Sequence, residues 1–510
     1  TAKGTANKVW GYVPDRGERI VAPTIPSEVI TPNNPPTGWG ILGDIYSRGW
    51  QRTNNTNNFL SFFATFAYSF KNRYVVNANV RNDASNVFGQ DINHRIDPTY
   101  SFGLSWRASE EAFFQKHLKW ITTLNFRGTF GIQGNALTRE SPELILSQQG
   151  VQPGYNRYFS TIGQIPNPYL SWERTRNWNF GVDLELFRMF YMNLEYYTRR
   201  SNAVITVDLP FEYGIDDMKR NGGIIYNRGI EYTLSFTPIQ KRDFSLNINL
   251  NASKNWNKGG ETKIDRNTAM YLRGGSTQIL KKGYPLSAFW SYSFAGLDGS
   301  NGKPMFNYVE VPDEEKSKSI DPTTYLVYSG ETEPYFTGGL GFSFRYKSLS
   351  LNTSFSLLLG SKKRLPSPYS DFQGSGSMMP DPTKNVNRDL LNRWQKPGDE
   401  AYTNIPGLPT WPIEIGWTLP NTDSAESSIK MWEQSDAMVV SGSFLRCRNI
   451  GLSWQMKKEW CDKIHAKNLA INFNMDNIFV IASKRFNGFD PELENSIMPR
   501  SFSLGLNIGF

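Results

Sequence analysis

The chain ends in a segment whose side chains alternate strictly between two kinds. From residue 501 to residue 510, every odd position is small or polar and every even position is apolar. Because successive side chains of a β-strand point to opposite faces, this segment predicts a strand with one apolar and one polar face. Such a strand, ending on an aromatic residue, is typical of an outer-membrane β-barrel, which faces lipid outside and water inside. The apolar set is Phe502, Leu504, Leu506, Ile508 and Phe510.

The same alternation recurs along the chain, for example in segments 74–81, 100–106, 244–250 and 469–475. Only 39% of the 510 residues are hydrophobic, while 14% are aromatic, which suits a thin lipid-facing layer better than a thick core. No run of about 18 apolar residues offers a transmembrane helix, so membrane insertion would require a closed barrel. We therefore predict an all-β fold, a transmembrane antiparallel β-barrel.

The connections between these segments alternate in length, which favours a barrel over a soluble β-sandwich or propeller. A membrane barrel has short periplasmic turns and long extracellular loops. We expect residues 1–58 to form an extracellular segment that enters the barrel, and residues 59–510 to form its C-terminal part. Short turns are expected near 71–72, 187–189, 238–243 and 347–348, and longer charged links at 107–119 and 457–467. Long extracellular loops are expected at 132–174, 200–222, 298–333, 361–442 and 480–498.

Strand counting backward from Phe510, placed at the periplasmic end, gives about fifteen strands, including one near 277–280. An odd number cannot close a single-chain bacterial barrel, and an open edge in lipid would leave backbone groups unpaired. We therefore expect the other strands to come from another chain or from residues outside this sequence. The last strand should pair with segment 469–475 on one side and with a strand outside this sequence on the other.

Charge and chemistry argue against several other functions. The net charge is +8, but Lys and Arg are scattered without a basic block, so we expect no nucleic-acid binding. The three histidines, His94, His117 and His465, are isolated and lack metal-ligand spacing, which favours neither a metal site nor an enzyme. We expect no cofactor. Cys447 and Cys461 do not form a disulfide framework, and their pairing stays open at this point.

A series of short motifs, in a fixed order from about residue 59 to residue 510, carries a family resemblance. The motifs lie at 72–89 (NRY to FG), 105–114 (SWR, SEEAFF), 130–135 (FGIQGN), 172–175 (WERT), 195–197 (EYY), 227–231 (NRGIE), 442–450 (GSFLRCRNI), 476–479 (DNIF), 488–492 (GFDPE) and 499–502 (PRSF). Taken together they resemble the SusC/RagA-type TonB-dependent transporters of Bacteroidota. Two positions depart from the family pattern, Ala84 where Gly is usual and Cys447 where Leu is usual.

The resemblance implies a barrel of about 22 strands, an N-terminal plug, a TonB box and a SusD-like surface lipoprotein over the extracellular mouth. We recognise neither plug nor TonB box in this sequence. The implied partners are the N-terminal plug-plus-barrel portion of the same transporter, the SusD-like lipoprotein, TonB–ExbB–ExbD acting through that portion, and outer-membrane lipid. The implied function is active import of oligosaccharides or oligopeptides across the outer membrane. The alternative is a passive porin or an adhesin.

Aromatic residues of the long loops are candidates for contact with the substrate or with a partner protein, and we expect them to be exposed. Their rings could stack on sugars or pack on peptide side chains, although packing within the loops explains any single one more simply. The segment 361–442, of about 80 residues, is much longer than ordinary loops, and we expect it to contact the SusD-like partner or the substrate. The candidates are Tyr158, Trp172, Tyr369, Phe372, Trp394, Trp411 and Trp417.

Overall fold

The computed structural model describes most of the chain after residue 50 and one segment before it. The described residues are 2–9, 51–85, 96–135, 144–152, 157–167, 169–209, 211–215, 217–262, 269–275, 280–307, 322–369, 383, 385–408, 415–418, 425–493 and 496–510. The chain divides into two compact units. The smaller unit comprises Thr1–Ala64, Val80–Thr99 and Gly134–Trp172, and the larger comprises Thr65–Asn79, Tyr100–Gln133 and Glu173–Phe510.

The described secondary structure is mostly antiparallel strand, which confirms the predicted fold class. None of the helices in the described part of the chain has both the length and the hydropathy needed to cross a membrane. The strands are β1 (Ala2–Val9), β2 (Gln51–Phe70), β3 (Tyr74–Ser85), β4 (Ile96–Arg107), β5 (Ile121–Asn135), β6 (Ile145–Gln152), β7 (Arg157–Gln164), β8 (Glu173–Leu186), β9 (Phe190–Asp208), β10 (Asp217–Gln240), β11 (Phe244–Thr262), β12 (Ala288–Tyr292), β13 (Phe294–Leu297), β14 (Pro304–Phe306), β15 (Leu326–Glu331), β16 (Phe336–Tyr346), β17 (Leu349–Leu359), β18 (Lys362–Arg364), β19 (Ile415–Thr418), β20 (Ala425–Ser427), β21 (Val439–Ser441), β22 (Phe444–Gln455), β23 (Asn468–Ala482) and β24 (Ser501–Gly509).

Helices are short and lie between strands. The α-helices are α1 (Ala112–His117), α2 (Ser428–Glu433) and α3 (Lys458–Lys463). Single helical turns occur at Ala108–Glu110, Phe211–Tyr213, Tyr271–Gly275, Pro322–Thr324, Arg388–Asn392, Asp399–Ala401, Asp436–Met438 and Lys484–Phe486.

In the smaller unit, β1 pairs with residues Gln51–Asn58 of β2, and β6 pairs with β7. The sequence had placed residues 1–58 in an extracellular segment and had begun the first strand near residue 59. The structure instead has strand at 2–9 and starts β2 at Gln51. Both stretches consist mainly of polar residues such as Asn and Thr. They therefore lack the alternation of apolar and polar side chains from which the other strands were predicted.

The larger unit is an antiparallel sheet in which each strand pairs with the next strand of the same sheet along the chain, while β12–β15 and β18–β21 form separate small sheets within the connections. Its order is β2-β3-β4-β5-β8-β9-β10-β11-β16-β17-β22-β23-β24. With β1, the main sheet counts 14 strands among the described residues, so the predicted number of about fifteen is not confirmed. Most of the strand predicted at 277–280 lies outside the described residues. The connection predicted at 200–222 is shorter, because β9 continues to Asp208 and β10 begins at Asp217.

At one end of the strands, here called the turn edge, each connection has about 13 residues or fewer. The turn edge holds residues 71–73, 108–120, 187–189, 241–243, 347–348, 456–467 and the end of β24. Four of these connections use non-glycine residues with positive φ, such as Lys71 and Asn72 at 50° and 58°. The opposite end of the larger unit's strands, here called the loop edge, holds the long connections 263–335, 360–443 and 483–500 and the eight-residue link 209–216. The extracellular placement of the long connections stays a prediction.

The apolar side chains of successive strands fall on one face of the sheet, here called the apolar face. Strand β24 shows this directly, because Leu504 pairs with Phe473 and Leu506 pairs with Ile471 of β23. Directly paired residues of antiparallel strands share a face. The predicted pairing of the last strand with segment 469–475 is thus confirmed, and Phe502, Leu504, Leu506, Ile508 and Phe510 are all exposed. No described strand pairs with the other edge of β24, so a partner there stays a prediction.

A bulge in β22 breaks the alternation at one place. Opposite β17, the register of β22 shifts by one residue between Cys447 and Asn449, so Arg448 is an extra residue there. At the same level, β23 in turn has one residue more than β22. Without the shift, Arg446 would share the face of Ile450 and Leu452, which is apolar. With it, Arg446 pairs with Ser356 on the opposite, polar face, and Cys447 pairs with Phe355. A bulge commonly re-aims a side chain in this way.

The re-aimed Arg446 joins two of the motifs noted in the sequence. Its Nη2 donates to both carboxylate oxygens of Asp490 at 2.7 Å and lies 2.8 Å from Glu492 Oε2. Arg446 and Asp490 are only 2% and 4% exposed. Arg448 reaches Glu492 Oε1 at 3.2 Å. These contacts fasten the 483–500 connection to β22. Both cysteines are free and buried, so the two do not pair.

Two further motifs meet at the turn edge around Glu111. Its carboxylate accepts hydrogen bonds from Arg73 Nη1 at 3.0 Å, from Tyr74 Oη at 2.7 Å and from Trp106 Nε1 at 3.3 Å. The backbone N–H of Arg107 donates to Arg73 O at 2.7 Å, which ties the two turns together. The residues 72–74 and 105–111 of the family resemblance therefore form one structural cluster.

We expect Glu111→Gln to lower stability and to reduce its pH dependence. The Tyr74 hydrogen bond, helped by Trp106 and Arg73, holds the pKa of the Glu111 carboxyl below its usual value near 4.5. A lowered pKa in the folded state stabilises the protein above the usual value, and that stabilisation disappears as pH falls through the lowered pKa. Urea unfolding midpoints measured in lipid vesicles should therefore differ at about pH 7 and converge at about pH 3. Glu110→Gln is the control, and an equal effect of both variants would refute the prediction.

We expect Arg446→Met to destabilise the protein by about 3–5 kcal/mol, because it leaves the buried Asp490 carboxylate without its cation. The double variant Arg446→Met with Asp490→Leu should recover most of that loss, since neither charge remains buried. Arg448→Gln is the matched control, because Arg448 is 47% exposed and its ion pair should contribute under about 1 kcal/mol. The free energy of unfolding of all three variants tests this. Similar losses for Arg446→Met and Arg448→Gln would contradict it.

Candidate functional site

The face of the sheet opposite the apolar face, here called the polar face, carries a charged network on β5, β8 and β9. Arg127 lies between two carboxylates, with its Nη2 at 3.3 Å from Asp183 Oδ1 and at 2.9 Å from Glu195 Oε1. Asn179 donates to Glu195 at 3.2 Å, and Asn193 donates to Asp183 at 2.7 Å. These charges are partly exposed and mutually paired. A hydrated wall can hold such a network at low cost, whereas a lipid-facing wall cannot.

Amides and hydroxyls continue this polar face on the following strands. Asn247 of β11 donates to Ser235 Oγ at 3.3 Å and to Thr237 Oγ1 at 2.8 Å. Ser343 of β16 donates to Asn352 Oδ1 of β17 at 2.7 Å. Because amides and hydroxyls both donate and accept, this face offers polar solutes many alternative partners. Asp476 continues the pattern on β23, accepting from Asn449 at 2.7 Å and from Ser501 at 2.8 Å.

Two hydrophobic clusters organise the long connections 263–335 and 360–443. Helix α2 contributes to both, since Met431 belongs to one cluster and Ile429 and Trp432 belong to the other. The indole N–H of Trp432 donates to Asn404 O at 2.8 Å. The described parts of these connections are therefore packed around hydrophobic clusters. The first cluster contains Leu272, Ala288, Trp290, Tyr292, Leu326 and Met431, and the second contains Tyr369, Leu390, Ile429, Trp432 and Met438.

A half-buried arginine ties the same two connections together. Arg364 of β18 donates from Nη2 to Trp290 O at 2.6 Å and to Ser291 Oγ at 3.1 Å, and from Nη1 to Arg273 O. Its guanidinium also lies 5.0 Å from the ring centre of Phe289. Burial, with a smaller contribution from the Arg273 charge, lowers the pKa of Arg364 to about 10. Arg364 therefore remains charged at neutral pH, and its charge is satisfied by backbone oxygens.

A cavity of about 900 Å³ opens among the connections at the loop edge. It is lined mainly by polar groups, including Arg388, Asp389 and Arg485, and by the aromatic ring of Tyr402. Tyr402 is 92% exposed, so its ring is available to a bound molecule. A cavity of this size matches those that hold small ligands or short oligomers. Arg485 is held in place by the backbone oxygens of Val439, at 2.9 Å, and Ala437.

Three of the aromatic residues that the sequence predicted to be exposed are buried or half-buried. Tyr369 is fully buried, and its hydroxyl donates to Pro406 O at 2.5 Å, so the expected exposure was wrong. Trp172 is 8% exposed, which is also contrary to the expectation. Trp394 is half-buried and donates to Glu400 Oε2 at 3.0 Å. Tyr369 is buried because it is part of the second hydrophobic cluster, together with Leu390 and Trp432. A binding role for these three stays a prediction.

The remaining candidates are described only in part. Tyr158 lies in β7 and Trp417 in β19, and only their backbone positions are described. Phe372 and Trp411 lie outside the described residues. The sequence argument missed Tyr402, although it lies inside the long segment 361–442. Its neighbours Pro406, Gly407 and Pro409 offered a signal, since such residues favour an exposed turn.

Metal ligands do not cluster in the described part of the chain. No group of three or more His, Cys, Asp or Glu residues lies close enough there to hold a metal ion.

Comparison with known proteins identifies the family. Residues 23–478 match the family model described as "TonB dependent receptor-like, beta-barrel". The chain is 23% identical over 502 residues to TonB-dependent receptor P3 of Formosa agariphila, covering 89% of this chain and 46% of that protein. It is 26% identical over 482 residues to TonB-dependent receptor SusC of Bacteroides thetaiotaomicron, covering 89% and 44% respectively.

A solved structure shares the fold. A structure of the RagAB peptide transporter matches with a TM-score of 0.69 at 22% identity, covering 90% of this chain and 48% of that chain. The chain spans about half the length of the curated relatives it matches. The family is one of outer-membrane receptors and transporters, and the SusC match agrees with the motif resemblance. With the family model covering residues 23–478, this chain belongs to the TonB-dependent receptor-like β-barrel family of the outer membrane.

Proposed function

We propose that this chain forms the C-terminal part of a barrel that imports oligosaccharides or oligopeptides actively across the outer membrane, in a SusCD-type complex. One observation carries the proposal most: the sheet keeps an apolar face and a hydrogen-bonded polar face through successive strands. An importer needs both, because lipid must contact one side of the wall and a hydrated solute the other. Family membership supplies the coupling to TonB.

The partners follow from the same membership and are part of the proposal. They are the N-terminal plug-plus-barrel portion of the transporter, a SusD-like lipoprotein, TonB–ExbB–ExbD acting through the plug, and outer-membrane lipid. The packed connections at the loop edge support docking of the lipoprotein, because they present a folded surface rather than loose loops. Docking on a pre-formed surface loses less conformational entropy than docking on a disordered one.

The 900 Å³ cavity at the loop edge is our candidate for the first contact with the solute. The Tyr402 ring could stack on a sugar ring or pack on a peptide side chain. Arg388 and Asp389 line the same space, and opposite charges of this kind suit the carboxylates and amines of peptides as well as hydroxyls of sugars. The cavity therefore supports either solute class.

Uptake should depend on TonB. Cells that carry the transporter are offered a labelled mixture of size-graded oligosaccharides and oligopeptides, and the retained material is identified by mass spectrometry. We expect accumulation against a gradient in cells with TonB and its loss in cells without TonB, because the proposed import consumes energy. Equal uptake in both strains would instead support the passive porin. Surface binding without uptake in either strain would support the adhesin.

Tyr402→Ala should weaken solute capture without unfolding the protein. The ring is 92% exposed and its loss removes little packing within the fold, so stability should stay within about 0.5 kcal/mol. Loss of an aromatic contact to the solute should raise the half-saturation concentration for uptake about fivefold to tenfold. Leu391→Ala is the control, because Leu391 is 70% exposed in the same connection and is not among the residues that line the cavity. Equal uptake by wild type and Tyr402→Ala would refute this contact.

A further inference from the structure

A second cavity, of about 1180 Å³, lies on the apolar face rather than on the polar face. Strands β9, β10 and β11 form its floor, and Lys282 and Gly283 form part of its rim. The register places its lining on the apolar face, since Tyr196 pairs with Ile230, Arg200 with Tyr226 and Arg228 with Trp256. Tyr196 in turn pairs with Phe180, and the face continues to Leu194 and Leu234 toward the turn edge.

The cations of this cavity lie at the end of the strands nearest the loop edge. Along β9, the apolar side chains of Phe190 to Tyr196 come first, and Arg200 follows. Along β10, read from the turn edge, Phe236 to Ile230 come first, and Arg228 follows. Lys258 pairs with Tyr226 at the same level. Neighbouring Arg176 pairs with Arg200 and extends the row onto β8.

Arg200, Arg228 and Lys258 have no acidic partner, and among the described residues Glu261 is the one carboxylate that lines the cavity. The residues that share the apolar face at 174–186, 190–200, 224–236 and 244–260 include no Asp and no Glu. Among the described residues, no carboxylate lies within ion-pair distance of Arg200, Arg228 or Lys258. Glu261 pairs with Lys282 on the rim at 2.8 Å, which offsets that one cation. Arg200, Arg228 and Lys258 therefore leave a net positive charge in the cavity, on the apolar face of the sheet.

The segment that carries Lys282 is pinned to the end of β11, which gives the cavity a fixed rim. The backbone N–H of Gly259 donates to Tyr284 O at 2.7 Å, and that of Gly283 donates to Gly259 O at 3.0 Å. Gly283 has φ 90°, which a residue with a side chain rarely adopts. Aromatic rings line the space between the cations: the guanidinium of Arg200 lies 5.9 Å from the ring centre of Tyr226.

Cations on a lipid-facing wall are costly at the centre of the bilayer and are tolerated near the headgroups. Long connections face the cell exterior in this family of barrels, so the row lies at the headgroup level of the outer leaflet. Aromatic rings also favour that level. Arg binds phosphate through paired N–H donors, and Lys adds a point charge. The apolar side chains beside the row, such as Leu194 and Ile230, can then contact the acyl chains of the same molecule.

We propose that this cavity binds the phosphorylated headgroup of an outer-leaflet glycolipid, with Arg200, Arg228 and Lys258 contacting the phosphate and the apolar face contacting the acyl chains. The charge complementarity and the position at the edge of the apolar face favour lipid over an imported solute, which would contact the polar face. The inference is independent of which solute is imported.

Native mass spectrometry of the purified transporter tests the proposal with three probes: lipid A, dephosphorylated lipid A and inorganic phosphate. We expect lipid A to bind, dephosphorylated lipid A to bind at least about tenfold more weakly, and inorganic phosphate neither to bind measurably nor to displace lipid A. The variant Arg200→Gln, Arg228→Gln, Lys258→Gln should lose about tenfold or more in lipid A affinity. The control Arg188→Gln, Lys241→Gln, Lys347→Gln removes three cations at the turn edge and should bind as wild type does.

Several outcomes would overturn the proposal. Equal binding of lipid A and dephosphorylated lipid A would show that phosphate is not recognised. Strong binding of inorganic phosphate alone would indicate an anion site without lipid. Unchanged binding by the triple variant would place the lipid elsewhere, and capture of a partner protein at this face in place of lipid would assign the cavity to that partner. If the triple variant fails to fold, Arg228→Gln alone should still weaken binding, and its unchanged affinity would count against the site.

Discussion

The two-residue alternation of side chains, kept in register from strand to strand, is the constraint on which the rest of this structure depends. Each pairing carries the sidedness of one strand to the next, as when Leu250 of β11 pairs with Leu340 of β16 and Leu340 pairs with Phe355 of β17. A slip of one residue anywhere would transfer an entire strand's apolar set to the water side. The polar network around Arg127 and the apolar belt around Phe473 are two consequences of the same register.

The bulge at Arg448 interrupts the two-residue alternation, and this interruption has a structural role. One inserted residue turns Arg446 away from the apolar face and toward Asp490 and Glu492, which anchor the 483–500 connection. An arginine on the apolar face at this level would require headgroup contacts, whereas on the polar side it finds two carboxylates. The bulge thus interrupts strand pairing locally and, in return, lets Arg446 attach the 483–500 connection to β22. It also pairs Cys447 with Phe355.

The alternation of side chains was sufficient to predict features that depend on local sequence. It was not sufficient to predict features that depend on tertiary packing. Strand faces, short turns and the pairing of β24 with β23 all follow from local pattern, and the structure agrees. The extension of β9 to Asp208 was missed because Val204 and Ile205 sit together and interrupt the alternation. Burial of Tyr369 could not be foreseen, because it depends on Trp432 and Leu390, which are distant in sequence. The motifs predicted a family, but not that Arg446 and Asp490 contact each other.

The apolar face of the sheet carries both hydrophobic and cationic side chains. Their order along each strand indicates what surrounds this face. Near the turn edge, the apolar face of β10 presents Phe236, Leu234 and Tyr232, and farther along it presents Arg228 and Tyr226. A soluble protein gains nothing from separating apolar and cationic residues along a strand, since water surrounds both. A bilayer does impose that order, because hydrocarbon gives way to charged headgroups over a few residues. The position of these cations is therefore best explained by the membrane rather than by packing inside the protein.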